Sequence, residues 1–186
     1  KGRAARLRGG STVDEERNML EAALLVVFPC LLAFAGASDL FTMTIPNRVS
    51  LLLVAGFAVL APFIGLGPAD IGLHVLAAAM TLCAGFAFFA FGWMGGGDAK
   101  VMTAVALWFG FTPAFFVFLA FAGIYGAVLT LGLLMFRQVP VLPIPAGRAD
   151  WLLRLHDQRT GIPYGIAISL AALQVYPQSI WFQALT

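Results

Sequence analysis

Charge is what this sequence has least of. Asp, Glu, Lys and Arg make up 11% of its 186 residues, against roughly 25% in an ordinary soluble domain. Hydrophobic residues make up 61%, so the chain has too little polar surface to cover itself in water. Cysteine is nearly absent too. Cys30 and Cys83 lie in apolar runs with no CxxC spacing, which excludes a disulfide framework and a zinc ribbon. The two histidines, His74 and His156, are isolated in sequence, whereas catalytic zinc normally needs three protein ligands. Neither a metal nor an organic cofactor is expected. There is no GxxxxGK[ST] loop to cradle phosphate, and no basic stripe for nucleic acid. What remains is an integral membrane protein. Its 20 Gly and 17 Phe suit helices whose backbones approach closely.

The apolar runs are punctuated by Gly and Pro. The first goes from Met19 to Ser38 and the second from Val49 to Leu66, closed by a Gly-Leu-Gly-Pro turn. The third begins near Ile71 and its helix ends near Gly92, because Gly95, Gly96 and Gly97 are poor helix formers. From Val101 to Phe136 no residue is charged, too long a stretch for one span of about 20 residues. Gly110-Phe111-Thr112-Pro113 divides it, with Thr112 a helix cap and Pro113 a first helical residue. A last run goes from Ile162 to Tyr176. These stretches predict an all-α, polytopic membrane protein with about six transmembrane helices in one bundle. The fourth, about Asp98 to Phe109, is short for a full crossing. Asp150 to Gln158 in the 137–161 loop predicts a short amphipathic helix in the headgroup region, after an extended stretch set by Pro140, Pro143 and Pro145.

Five of the eleven basic residues (Lys1, Arg3, Arg6, Arg8, Arg17) precede residue 19. The other six, Arg48, Lys100, Arg137, Arg148, Arg154 and Arg159, all fall on the face reached after the first, third and fifth helices. The positive-inside rule makes that face cytoplasmic. The leading basic segment opposes this assignment. Residues 1–18 are therefore expected to be a dispensable or non-native tail, ahead of a membrane domain over 19–186.

Two aspartates stand out on that face. Asp39 ends the first helix, where a negative charge opposes the macrodipole. Asp98 opens the fourth helix after three glycines, where a plain capping role also fits. Ionisable groups at membrane depth are expensive and point to function. Two carboxyls brought together share a proton, so that one activates water while the other polarises a carbonyl. Asp70, beside Pro68 on the opposite face, reads as an ordinary helix cap.

Asp39 with Ile45-Pro46-Asn47, then Gly95-Gly96-Gly97-Asp98-Ala99-Lys100, then Pro163-Tyr164-Gly165, resembles the prepilin peptidase family. These are GxGD aspartic proteases of the bacterial inner membrane. The resemblance runs from Met19 to the end and falls closest to the small, peptidase-only branch associated with Flp-type (tight adherence) pili, since the zinc-binding CxxC insert of larger members is missing. It implies catalytic roles for Asp39 and Asp98. Gly95, Gly97, Lys100, Pro46, Asn47 and Tyr164 become candidate substrate-binding residues. The implied activity is endopeptidase cleavage of prepilin leaders at the cytoplasmic face of the inner membrane. The implied partners are a prepilin with a basic leader and an apolar N-terminal helix, membrane lipid and the pilus assembly machinery. Two other readings of the residues stay open: a transport protein using the aspartates as a cation or proton path, and a non-catalytic scaffold of a pilus or secretion machine.

Overall fold

The computed structural model describes the backbone of residues 2–139 and 150–184, with side chains from residue 21 onward. The basic side chains before residue 19 and the proline-rich half of the long loop lie outside the described residues. Among the described residues every regular element is helical: α1 (Gly2–Thr42), α2 (Asn47–Leu60), α3 (Pro68–Ala90), α4 (Gly96–Phe109), α5 (Pro113–Phe136), α6 (Asp150–His156), α7 (Tyr164–Val175) and α8 (Ile180–Gln183), with a 3-10 turn at Tyr176–Gln178.

All six expected apolar helices form, as α1–α5 and α7, and the chain is a multi-pass, all-α membrane protein. Three of them have the length and apolarity of full spans: residues 21–42 of α1, α3 and α5. The others are shorter, at 14 residues for α2, 14 for α4 and 12 for α7. The expected helix to Leu66 stops instead at Leu60, because Pro62 cannot donate within a helix and Gly65, at φ 79°, turns the chain. Pro68 begins α3 three residues earlier than expected, since proline suits a first helical position. Asp70 is the expected cap, its Oδ2 accepting from the Gly67 N–H at 3.1 Å. Thr112 occupies the cap position of α5, but its hydroxyl donates back to the Phe109 carbonyl at 3.0 Å and accepts no N–H of the new helix. The stretch after Pro177 is no loose tail. It forms α8, whose Trp181 is fully buried.

The short helices form the middle. α4 packs on α3 and α2, and α7 packs on α1 and α5, while α4 and α7 also meet. Small residues permit the close crossings. Gly85 of α3 faces Ala99, and Gly36 of α1 faces Ser169. At the end away from the aspartates an aromatic cluster fills the core. Trp108 donates its indole N–H to the Leu53 carbonyl at 2.8 Å, and Trp181 donates to the Trp108 carbonyl at 2.5 Å. Phe28 stacks on Tyr176 with ring centres 4.6 Å apart, and the Tyr176 hydroxyl reaches the Leu24 carbonyl at 2.7 Å. His74 belongs to this structural end, buried and bonded through Nδ1 to the Leu107 carbonyl at 2.7 Å. The long helices turn large apolar side chains such as Phe34, Phe86 and Leu131 outward, as a lipid-facing surface requires.

Candidate active site

The end of α1 is shaped by the turn that follows it. The Met43 N–H donates to the Asp39 carbonyl at 2.8 Å, with Met43 at φ 55° in the left-handed region. This closes the helix as a glycine usually does. Ser38 Oγ donates to the Thr44 carbonyl at 2.9 Å and Thr42 Oγ1 to the Ser38 carbonyl at 2.7 Å, holding the turn in place. Ile45 then points inward and is buried. It lies against two glycines. A Cβ on Gly97 would stand 3.5 Å from Ile45 Cβ, and one on Gly165 would stand 2.5 Å from Ile45 Cδ1. Ile45 is thus a wedge joining the end of α1 to the starts of α4 and α7. Pro46 sits at the cap position of α2, extended at φ −61° and ψ 135°.

Two helix N-termini converge on the two aspartates. Asp39 is misplaced for the dipole of its own helix, yet its Oδ2 accepts from the Gly165 N–H at 2.7 Å, and the Ile166 N–H also acts on it. It serves as the cap that α7, which begins after Pro163 with no capping side chain of its own, otherwise lacks. Asp98 occupies the third position of α4, behind Gly95 at the cap. Its Oδ2 lies close over Gly95, where a Cβ would stand 2.9 Å away. The Gly165 N–H itself is hydrogen-bonded to Asp39. Both aspartates are buried, at 4% and 7% exposure. Among the described residues, Asp98 Oδ1 is buried with no hydrogen-bond partner. A buried acceptor left unpaired is costly, and such atoms in native structures call for a reason.

A cavity of about 520 Å³ opens over the pair. Asp39, Asp98, Gly95 and Tyr164 line it, and Met43, Trp93 and Arg137 join them. Of the residues singled out in sequence, Gly97, Pro46, Asn47 and Lys100 are not in this lining. Gly97 faces Ile45, while Lys100 Nζ donates to Asn47 Oδ1 at 2.9 Å on the exposed surface, tying the start of α4 to the start of α2. Tyr164 packs on Gly126 of α5, and its hydroxyl lies 3.1 Å from Thr130 Oγ1.

Sequence reasoning missed Arg137 as a wall of this cavity and treated it only as a charge that sets sidedness. It is buried. Its Nε donates to the Leu155 carbonyl at 2.8 Å, and Nη2 donates to the Gly161 carbonyl at 2.9 Å and to the Thr160 carbonyl and hydroxyl at 3.2 Å. It thereby fastens the end of α5 to α6 and to the strap that leads into Gly165. Gly165 was legible only as part of the Pro-Tyr-Gly motif. Among the described residues no cluster of three or more His, Cys, Asp or Glu gathers as a metal site would require.

Comparison with curated proteins and with solved structures gave no match. The sequence model of the type IV leader peptidase family, in contrast, matches residues 26–131, a stretch that holds both aspartates and the glycines before the second. The chain belongs to the type IV leader peptidase family.

Proposed function

We propose that this membrane peptidase is an aspartic endopeptidase in which Asp39 and Asp98 act as one unit. One carboxyl, ionised, takes a proton from a water held between the pair. The other, protonated, donates to the carbonyl oxygen of the scissile bond. The water's oxygen adds to the carbonyl carbon, and collapse of the tetrahedral species expels the amine, which takes up a proton from the pair. The Gly165 N–H holds the Asp39 carboxyl in place. The glycine at position 95 leaves room beside Asp98, where a Cβ would stand 2.9 Å from Oδ2. The observation that carries this reading is the convergence of both carboxyls in one cavity with Asp98 Oδ1 unbonded among the described residues.

The substrates in this reading are prepilins of the Flp type, cut behind a basic leader at the cytoplasmic face of the bacterial inner membrane. The concentration of basic residues on the loops at the aspartate end supports that orientation. A transport path is less well supported. It would place ionisable groups near the bilayer midplane, whereas Asp39 lies in the last turn of α1 and Asp98 in the first turn of α4.

The test is conversion of a pilin precursor in isolated membranes. Asp39→Asn and Asp98→Asn each keep size and capping ability but cannot exchange a proton. Each should lower conversion by roughly 10³-fold or more, and the double variant should be no worse than either single one. Substantial conversion by Asp98→Asn would reduce that residue to a helix cap and end the protease reading.

A further inference from the structure

α3 packs on α4 and α5 packs on α7, so the two long helices have no packed interface with each other. Between them runs an apolar groove of about 660 Å³, floored by Met102 of α4 and Ile168 of α7. Its α5 wall carries Ala122, Gly123, Gly126 and Ala127. These small residues recur at helical spacing and admit a close backbone. A Cβ at Gly123 would meet nothing within 4 Å. The groove continues toward Phe111 and Phe116 through a second hollow that shares Phe88, Met102 and Leu119 with it. At its other end it opens into the aspartate cavity, with Met94 and Tyr164 lining both. From Phe116 to Thr130 along α5 is about 21 Å, at 1.5 Å per residue.

Three features select the occupant. Among the described residues no charged side chain lines the groove, and its threonine hydroxyls donate within their own helices, Thr130 to the Gly126 carbonyl at 2.7 Å and Thr81 to the Ala77 carbonyl at 2.8 Å. Such a surface offers few hydrogen bonds, so it suits a chain whose backbone groups are satisfied internally, which in a bilayer means a helix. A phospholipid seated there would place its anionic head against two carboxyls, while the nearby Arg137 already directs Nε and Nη2 at the Leu155 and Gly161 carbonyls. A polypeptide that turns from apolar helix to polar segment meets groove and cavity in the right order. The apolar hollow between α1 and α2, lined by Cys30 and Val59, has no such polar end.

We propose that the α3/α5 groove docks the transmembrane helix of the substrate and thereby delivers the adjoining peptide bond to the aspartate pair. This rests on the leader peptidase reading above. The substrate enters sideways from the lipid, and specificity for membrane-anchored precursors resides in the groove rather than in the cavity.

The test uses the full chain in membranes with a type IV pilin precursor as probe. A photo-crosslinking residue replaces Ala127, or Val59 as the comparison, in the Asp39→Asn protein. Ala127 should cross-link to the precursor and Val59 should not. In the active protein, Gly123→Leu should lower kcat/KM for the precursor at least tenfold relative to that for a water-soluble peptide spanning the leader junction. Gly132→Leu, on α5 but outside the groove with open space around it, should leave that ratio unchanged. Lipid adducts alone at Ala127, a precursor adduct at Val59 instead, or an unchanged ratio in Gly123→Leu would each overturn the proposal. An Ala127 adduct with an unaltered protein that cuts neither probe would uphold the docking surface and defeat the protease reading.

Discussion

Adding one methyl group at Gly165 separates the chemistry of the site from its packing. In Gly165→Ala the new Cβ would lie 2.8 Å from Asp39 Oδ2, 3.0 Å from Asp39 Cβ and 2.5 Å from Ile45 Cδ1. Ordinary contact begins near 3.4 Å, so the carboxyl must retreat by about 0.6 Å, enough to spoil the 2.7 Å bond from the Gly165 N–H. A hydrogen bond to a charged group contributes about 1.5–3 kcal/mol, and each 1.4 kcal/mol is about tenfold. Processing should therefore fall roughly 10- to 100-fold. The collision with Ile45 adds an overpacking cost of about 1–3 kcal/mol to stability. Ile45→Val removes the atom involved, at about 0.5–1.5 kcal/mol of its own. In the double variant Ile45→Val/Gly165→Ala the thermal midpoint in detergent should recover toward that of Ile45→Val, while precursor conversion stays low because the Asp39 contact persists. Gly72→Ala, which meets nothing within 4 Å, should keep full activity. A Gly165→Ala protein within threefold of normal conversion, or one whose activity Ile45→Val restores, would refute the positioning of Asp39 by this N–H.

Arg137→Lys keeps the charge but loses the planar fork that grips Leu155, Thr160 and Gly161. Conversion should drop roughly five- to tenfold at unchanged membrane abundance, a loss of about 1–1.4 kcal/mol; equal activity would show that charge alone matters there. Gly110→Ala should destabilise the far end by on the order of 3 kcal/mol, because Gly110 sits at φ 62° and ψ −176° and its Cβ would stand 2.7 Å from the His74 ring. Thermal unfolding should show His74→Ala recovering part of that loss. Removing residues 1–18 should leave insertion and conversion unchanged, with reporter fusions at Arg148 reading cytoplasm and those at Pro68 reading the outside; a truncated chain that fails to insert would make the tail part of the fold.

The helices were legible because their signals are local. Pro68, Thr112-Pro113 and the glycines before Asp98 mark starts that depend only on backbone chemistry, and α5 spans Pro113–Phe136, as its flanking residues suggest. Asp39 was legible because a carboxyl at a helix C-terminus needs a reason. That reason, the N-terminus of α7, is 126 residues away and leaves no trace in spacing. Ile45 and Arg137 were obscure on the same grounds. A buried isoleucine looks like any apolar residue until the glycines it abuts are known, and an arginine next to a span looks topogenic until its carbonyl partners appear. Trp181 was hidden by Pro177, which looks like the end of the packed chain yet lies within the Tyr176–Gln178 turn that returns the indole to Trp108.

The contrast in helix length has a mechanical result. α3 and α5 measure about 35 and 36 Å, whereas α4 and α7 measure about 21 and 18 Å. Beyond α7 the chain continues at one end as the Tyr176–Gln178 turn and α8 with the buried Trp181, and at the other end lies the cavity above the carboxyls. The first turn of α4 forms the floor of that cavity, with Asp98 on it. The depth of that floor works as a ruler. If the pair is catalytic as proposed, that depth sets how far above the lipid-embedded part of a docked substrate the cleaved peptide bond must lie. Inserting one turn before Asp98 should shift the cleaved bond along the substrate instead of merely slowing the reaction.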